Sequence, residues 1–198
     1  MKNFLIVLLI VVVLLIGLVG FTISRYNSMQ QLKVDIDNSW AEVQNQLMRR
    51  YDLIPNLVET VKGYASHEQE TFRMVTEARA SVGGIIEVSQ DVLDNPEAFQ
   101  RYQQAQNTLG GALQRLLAVS ENYPELKANQ NFIRLQDELA GTENRIAVSR
   151  KRFNDSVAVF NRLIVVFPNN IIAGMFNFQK AIFFEAPTET QEAPRVQF

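Results

Sequence analysis

The chain has 198 residues, of which 47% are hydrophobic and 20% charged, and its formal net charge is −2. That balance excludes a disordered chain, which is poor in apolar residues, and a strongly basic nucleic-acid binder. With no cysteine and a single histidine, disulfide frameworks, thiolate metal sites and cysteine nucleophiles are excluded, and few routes to catalysis remain.

The first element is the run from Phe4 to Ile23, twenty residues without a charge, entered through Lys2-Asn3 and left through Ser24-Arg25. As a helix it covers about 30 Å, the hydrocarbon thickness of a bilayer. It is longer than a signal-peptide core of roughly 7–15 residues, and no small-x-small cleavage pattern follows. The reading is a transmembrane anchor over residues 1–23, with the bilayer as its partner. Lys2 on one side and Arg25 with Lys33 on the other nearly balance, so the positive-inside rule leaves the sidedness open. Gly17 and Gly20 are three apart rather than four and make no close-packing dimer motif.

Beyond the anchor the apolar positions recur at steps of three and four. They run Leu32, Ile36, Trp40, Val43, Leu47, Tyr51, Ile54, Val58, Val61, Ala65, and resume at Phe72, Val75, Ala78, Val82 before Gly83-Gly84. This spacing marks a bundle or coiled-coil seam. A second block, from Phe99 to Leu116, follows Asn95-Pro96-Glu97, which reads as an N-cap, a proline at the first helical position and an acid in the first turn. The last block runs Phe132, Leu135, Leu139, Thr142, Ile146, Ser149, Phe153, Val157, Phe160, Leu163, Phe167 and stops at Pro168-Asn169-Asn170. Strand signals are nearly absent, so the expected fold is all-α: an N-terminal transmembrane helix and then an antiparallel up-and-down four-helix bundle with long helices over residues 24–185.

Pro55 interrupts the first stripe. A proline removes a helix hydrogen bond and pushes its predecessor out of the α region. The preferred division therefore breaks the helix at Pro55, giving segments near 24–52, 55–84, 96–121 and 125–167. The alternative turn is Gly63 to Ser66, with Ser66-His67-Glu68-Gln69 as a capping box. In either arrangement the fourth helix of an up-and-down bundle returns toward the bilayer. The Phe-rich segment 171–184 follows it, and Phe176, Phe178, Phe183 and Phe184 suit either a segment capping the end of the bundle or one touching the membrane interface. Residues 186–198, with two prolines, read as a disordered tail.

No catalytic constellation emerges. The di-iron bundle site needs two Glu-x-x-His pairs, but His67 stands alone with Tyr64 three residues before it. No nucleophile elbow surrounds a serine, and neither Gly83-Gly84 nor Gly110-Gly111 lies in a phosphate-loop pattern. The mid-helix pair Gly110-Gly111 suits a close helix crossing. Arg145, Arg150, Lys151 and Arg152 read as a solvated face, with anionic headgroups as the other use of such a cluster. No metal, cofactor or catalytic residue is assigned, and no nucleic-acid partner is expected. More informative are polar groups on or beside the seam: Thr142, Ser149, Asn154 and Asn161, with Arg49, Arg50 and Asp52 next to Pro55. Partly buried groups of this kind need partners, so Arg49, Arg50, Asp52, Asn154 and Asn161 form a candidate interhelical polar network or partner site.

The stretch Arg49-Arg50-Tyr51-Asp52-Leu53-Ile54-Pro55-Asn56-Leu57-Val58, continuing to Glu68, resembles the signature of the LemA family. Val75-Thr76-Glu77-Ala78-Arg79, Tyr123-Pro124-Glu125-Leu126-Lys127-Ala128-Asn129, Thr142-Glu143-Asn144-Arg145-Ile146 and Phe183-Phe184-Glu185 extend the resemblance. The family's recurring Tyr-Asn pairs stand here as Phe153-Asn154 and Phe160-Asn161. The resemblance implies a bacterial single-pass membrane protein with a four-helix bundle and supplies no reaction. The expected function is a non-enzymatic scaffold or adaptor that binds itself or other envelope proteins. A bundle that senses a small molecule between its helices, near Asn154, Asn161 and Arg49, is the alternative.

Overall fold

The computed structural model describes residues 2–88 and 92–185. The expected tail at 186–198 lies outside them. The elements are α1 (Lys2–Lys62), α2 (Gln69–Val88), a 3-10 turn (Val92–Asp94), α3 (Pro96–Val119), a second 3-10 turn (Ser120–Asn122), α4 (Pro124–Lys127), α5 (Gln130–Val165) and α6 (Asn169–Met175). Among the described residues there is no strand, and the fold is all-α.

The helix does not break at Pro55, which lies inside α1. Its ring removes one i−4 hydrogen bond, a cost of about 3 kcal/mol in a helix interior. Its neighbours outweigh that. Pro55 is exposed, while Ile54 and Leu57 on either side are buried, each worth about 1.5–3 kcal/mol, and Val61 extends the same stripe. A break at Pro55 would turn those residues away from the core. The turn lies at the alternative position. Gly63 and Ala65 donate to the carbonyls of Glu59 and Val61 at 3.2 and 2.9 Å, and buried Ala65 seals the corner. Because α2 starts at Gln69, Ser66 is not its cap, and His67 is exposed in the turn. Nor does the helix stop at Gly83-Gly84, since α2 continues to Val88.

The start of α3 follows the sequence expectation. Asn95 is extended, and its side chain accepts hydrogen bonds from the amides of Glu97 and Ala98, with Pro96 at the first helical position. Asn129 does the same for α5, accepting from the amides of Asn131 and Phe132 at 2.9 and 3.0 Å.

The chain divides into two compact units, the first gathering Met1–Trp40 with Arg152–Ala181, the second Ala41–Lys151 with Ile182 onward. In the second, one core draws Ile54, Leu57 and Val61 from α1, Val75, Ala78 and Val82 from α2, Leu109, Leu113 and Leu116 from α3, and Phe132 and Leu139 from α5. The first holds the apolar run, whose most hydrophobic window has a mean hydropathy of 3.5 and is wholly unburied. Beyond that run, Met29, Ile36 and Trp40 of α1 are buried, as are Phe153, Val157, Phe160 and Ile164 of α5. The ring centroids of Trp40 and Phe153 lie 5.7 Å apart. At its C-terminal end the α5 seam runs through Ile164 rather than Phe167, which is 75% exposed. There the chain bends by 95° into α6.

Candidate functional site

Arg50 occupies a core position. It lies three residues after Leu47 and four before Ile54, on the apolar face of α1, and is only 3% exposed. Gln106 holds the corresponding place on α3 between Tyr102 and Leu109, and is 1% exposed. The Arg50 guanidinium donates through Nη2 to the Gln106 side-chain oxygen, and through Nη1 to both oxygens of Glu143 on α5 at 3.0 and 3.3 Å. Three helices therefore meet at one planar cation, whose fork suits carboxylate and amide acceptors. Gly110 lies against this guanidinium, with a Cβ position 4.0 Å from Nη1, and nothing approaches Gly111 within 4 Å. Gly110 thus lies beside Arg50, and neither glycine meets a neighbouring helix backbone within 4 Å.

A second guanidinium belongs to the same unit. Arg150 is half-buried and stacks over the ring of Phe184 at 5.0 Å, so it is not part of a solvated face, although Lys151 and Arg152 are exposed. Burial first, then repulsion from Arg50, pulls its pKa below the usual arginine value, and Glu143 and Tyr102 oppose the shift. Burial pushes the Tyr102 phenol up, against the pull of Gln106, Arg150 and Arg50. Its stabilising contribution is complete below the ordinary tyrosine value of about 10 and is lost as pH rises through the raised one. The unfolding temperature is therefore expected to fall on raising the pH above about 10, and Tyr102→Phe to flatten that fall.

Arg49, Thr142 and Ser149 make hydrogen bonds outside this cluster. Arg49 pairs with Glu138 at 2.6 Å on the surface, where both side chains are well exposed. Asp52 is exposed and Asn154 half-buried. Thr142 and Ser149, both buried, donate to the carbonyls of Glu138 and Arg145 in their own helix at 2.8 and 2.9 Å. Hydroxyls that satisfy themselves this way need no partner on a neighbouring helix. Of the five expected residues, Arg50 forms a cross-helix cluster, built with Gln106 and Glu143. The signal for Gln106 was in the sequence, since it interrupts the stripe Tyr102, Leu109, Leu113 at core spacing.

Asn161 lies in the other unit and works alone. Its amide nitrogen donates to the carbonyl of Ala181 at 2.9 Å, and its side-chain oxygen accepts from the Ala181 amide at 2.8 Å. It thereby holds an irregular segment against α5. Asn177, with φ 56°, takes the left-handed conformation that asparagine tolerates and turns the chain after α6. Phe176 and Phe178 then flank Tyr26 of α1, with ring centroids at 4.7 and 5.8 Å. Asn161→Leu is expected to free this segment, seen as faster amide exchange at Ala181 with helix content unchanged.

The four phenylalanines singled out above divide by environment. Phe184 is buried against Phe99 at 5.0 Å in the second unit, and Phe178 is half-buried against Phe160 at 6.3 Å in the first. Phe176 and Phe183 are 47% and 41% exposed.

Known sequences resemble this chain over most of its length. A magnetosome protein, MamQ, of Magnetospirillum gryphiswaldense is 26% identical over 192 residues, spanning 89% of this chain and 71% of the relative. The MamQ 2 protein of Paramagnetospirillum magneticum is 24% identical over 193 residues, spanning 90% and 71%. Protein LemA of Metamycoplasma hominis is 25% identical over 175 residues, spanning 88% and 75%. The LemA family profile matches residues 39–198, well over half of the sequence, and the chain belongs to the LemA family.

Proposed function

We propose that this protein is a non-enzymatic scaffold anchored in a bacterial envelope membrane by a single crossing of Phe4–Ile23. Its helices form an antiparallel up-and-down four-helix bundle that associates with itself or with other envelope proteins. The observation that carries the reading is the continuity of α1, one helix bearing both the charge-free run and the core residues Ile54, Leu57 and Val61. A helix of this kind joins a packed core to a membrane-spanning run along one continuous stretch of backbone. The chemistry supports binding over catalysis: among the described residues the most buried ionic group, Arg50, is bound by Gln106 and Glu143, and the lone histidine lies exposed in a turn. Relatives in two species carry the name magnetosome protein, which supports a structural reading.

The test is chemical cross-linking of the full chain in intact membranes, followed by alkaline extraction and affinity capture. The reading expects the chain to resist extraction and to carry discrete adducts with itself or with an envelope protein. Release by alkali would refute the anchor, and a chain that stays monomeric under saturating cross-linker would refute the scaffold.

A further inference from the structure

The first unit exposes an apolar patch that its own packing does not use. Where α5 ends, Phe167 is 75% exposed, and on α6 Ile171 and Met175 are 55% and 72% exposed. Phe176, the next residue, is 47% exposed. The opposite side of α6 is buried through Ile172 and Ala173. Ile171 and Met175 are four residues apart, so they share one helix face. This short helix therefore has one side fixed to the protein and an apolar side turned outward, flanked by two exposed phenylalanines.

Its position identifies what covers it. Phe176 is in ring contact with Tyr26, and Tyr26 is three residues past Ile23, where the apolar run ends. Three residues of helix rise about 4.5 Å, which places Tyr26 within the headgroup layer if the run fills the hydrocarbon core. A tyrosine is at home at that depth. The charges agree. No Asp or Glu occurs before Asp35 or between Asp155 and Glu185, while Arg25, Lys33, Arg162 and Lys180 lie in those stretches. Cations without acids beside an apolar face match an anionic lipid surface, and amphipathic segments of this composition bury their apolar side at the headgroup–acyl boundary.

We propose that Phe167, Ile171, Met175 and Phe176 form a second membrane contact, inserted into the interfacial layer of the bilayer that α1 crosses. The inference rests on the anchor reading above. The α5–α6 turn and the apolar run then hold the first unit to the bilayer at two places, and Asn161 secures the segment after α6 that carries Phe176 back to α1. In the sequence alone, Phe176, Phe178, Phe183 and Phe184 suited either a cap over the bundle or the interface, and Phe167 read as the last seam position. The structure separates the two uses, since Phe178 and Phe184 pack on protein while Phe167 and Phe176 face outward.

The absence of cysteine makes the test direct. Single-cysteine variants of the full chain, Phe167→Cys, Met175→Cys, Leu14→Cys and Val148→Cys, are labelled with an environment-sensitive fluorophore. They are reconstituted in vesicles of phosphatidylcholine with a minority of phosphatidylglycerol. Quenching by lipids bearing a shallow nitroxide is compared with quenching by aqueous iodide. The expected result is lipid quenching at Phe167→Cys and Met175→Cys about threefold or more above that at exposed Val148→Cys, with weak iodide quenching. Probes at 167 and 175 that behave like the Val148→Cys probe, while Leu14→Cys is quenched by lipid, would overturn the contact and leave the anchor standing. Probes at 167 and 175 shielded from both quenchers would mean a protein cover and would also overturn it. Failure of lipid quenching at Leu14→Cys would refute the anchor, and the second contact with it.

Discussion

Replacing Arg50 with methionine is expected to lower the stability of the protein by about 2–3 kcal/mol. Removing one partner of a buried ion pair costs about 3–5 kcal/mol when both ends are dry, because the remaining charge stays unpaired. Here the arginine is dry and Glu143 is 43% exposed, so water takes over part of the carboxylate's solvation and the cost falls below that range. Most of the loss comes from Gln106, whose 1%-exposed amide would lose the guanidinium that its oxygen accepts from. A buried amide left unsatisfied costs about 1–3 kcal/mol. Arg50→Met with Gln106→Leu removes both members, leaves no stranded amide, and is expected to recover about half of the loss or more. Denaturant unfolding of the full chain in micelles, followed by helical circular dichroism, measures both. A double variant no more stable than the single would mean that Arg50 matters through packing of its stem alone.

Truncating Phe153 to alanine is expected to cost about 3–5 kcal/mol, the range for emptying a fully buried aromatic position. Phe153 is wholly buried, and its ring lies against Trp40, so the substitution removes an aromatic pair and leaves a cavity. The measurement is built into the chain, since Trp40 is its single tryptophan. A red-shifted emission of Trp40 should accompany the stability loss, because water or mobile side chains enter the space beside the indole. The Arg50→Met variant, altered in the other compact unit, should leave that emission unchanged. Unaltered Trp40 emission in Phe153→Ala would contradict the packing described here.

What the sequence disclosed follows from how far each interaction reaches along the chain. The seams were legible because burial repeats every three or four residues, and Val43, Leu47, Ile54 and Val61 are all buried as that period requires. The start of α3 was legible because Asn95, Pro96 and Glu97 act within one turn. Pro55 misled because its helix-breaking effect is local, whereas the burial of Ile54 and Leu57 that overrides it depends on side chains from α2, α3 and α5. Arg50 was recognised as a core-adjacent polar group. Its partners were not, since Gln106 and Glu143 lie 56 and 93 residues away. The Asn161 contact was invisible for a different reason: it is made to the backbone of Ala181, and any residue offers that same pair of groups. Thr142 and Ser149 read as candidates for cross-helix pairing because composition does not reveal that a hydroxyl turns back on its own helix.

The scaffold reading is tested most directly by photo-cross-linking from chosen positions of the full chain in native membranes. A photoreactive side chain is placed in turn at exposed Glu77, Arg115 and Val148 and, as a control, at buried Leu113. A scaffold is expected to give discrete protein adducts from at least one outward position and only intramolecular products from Leu113. Absence of protein adducts at every outward position, in a chain that reacts at Leu113, would contradict it.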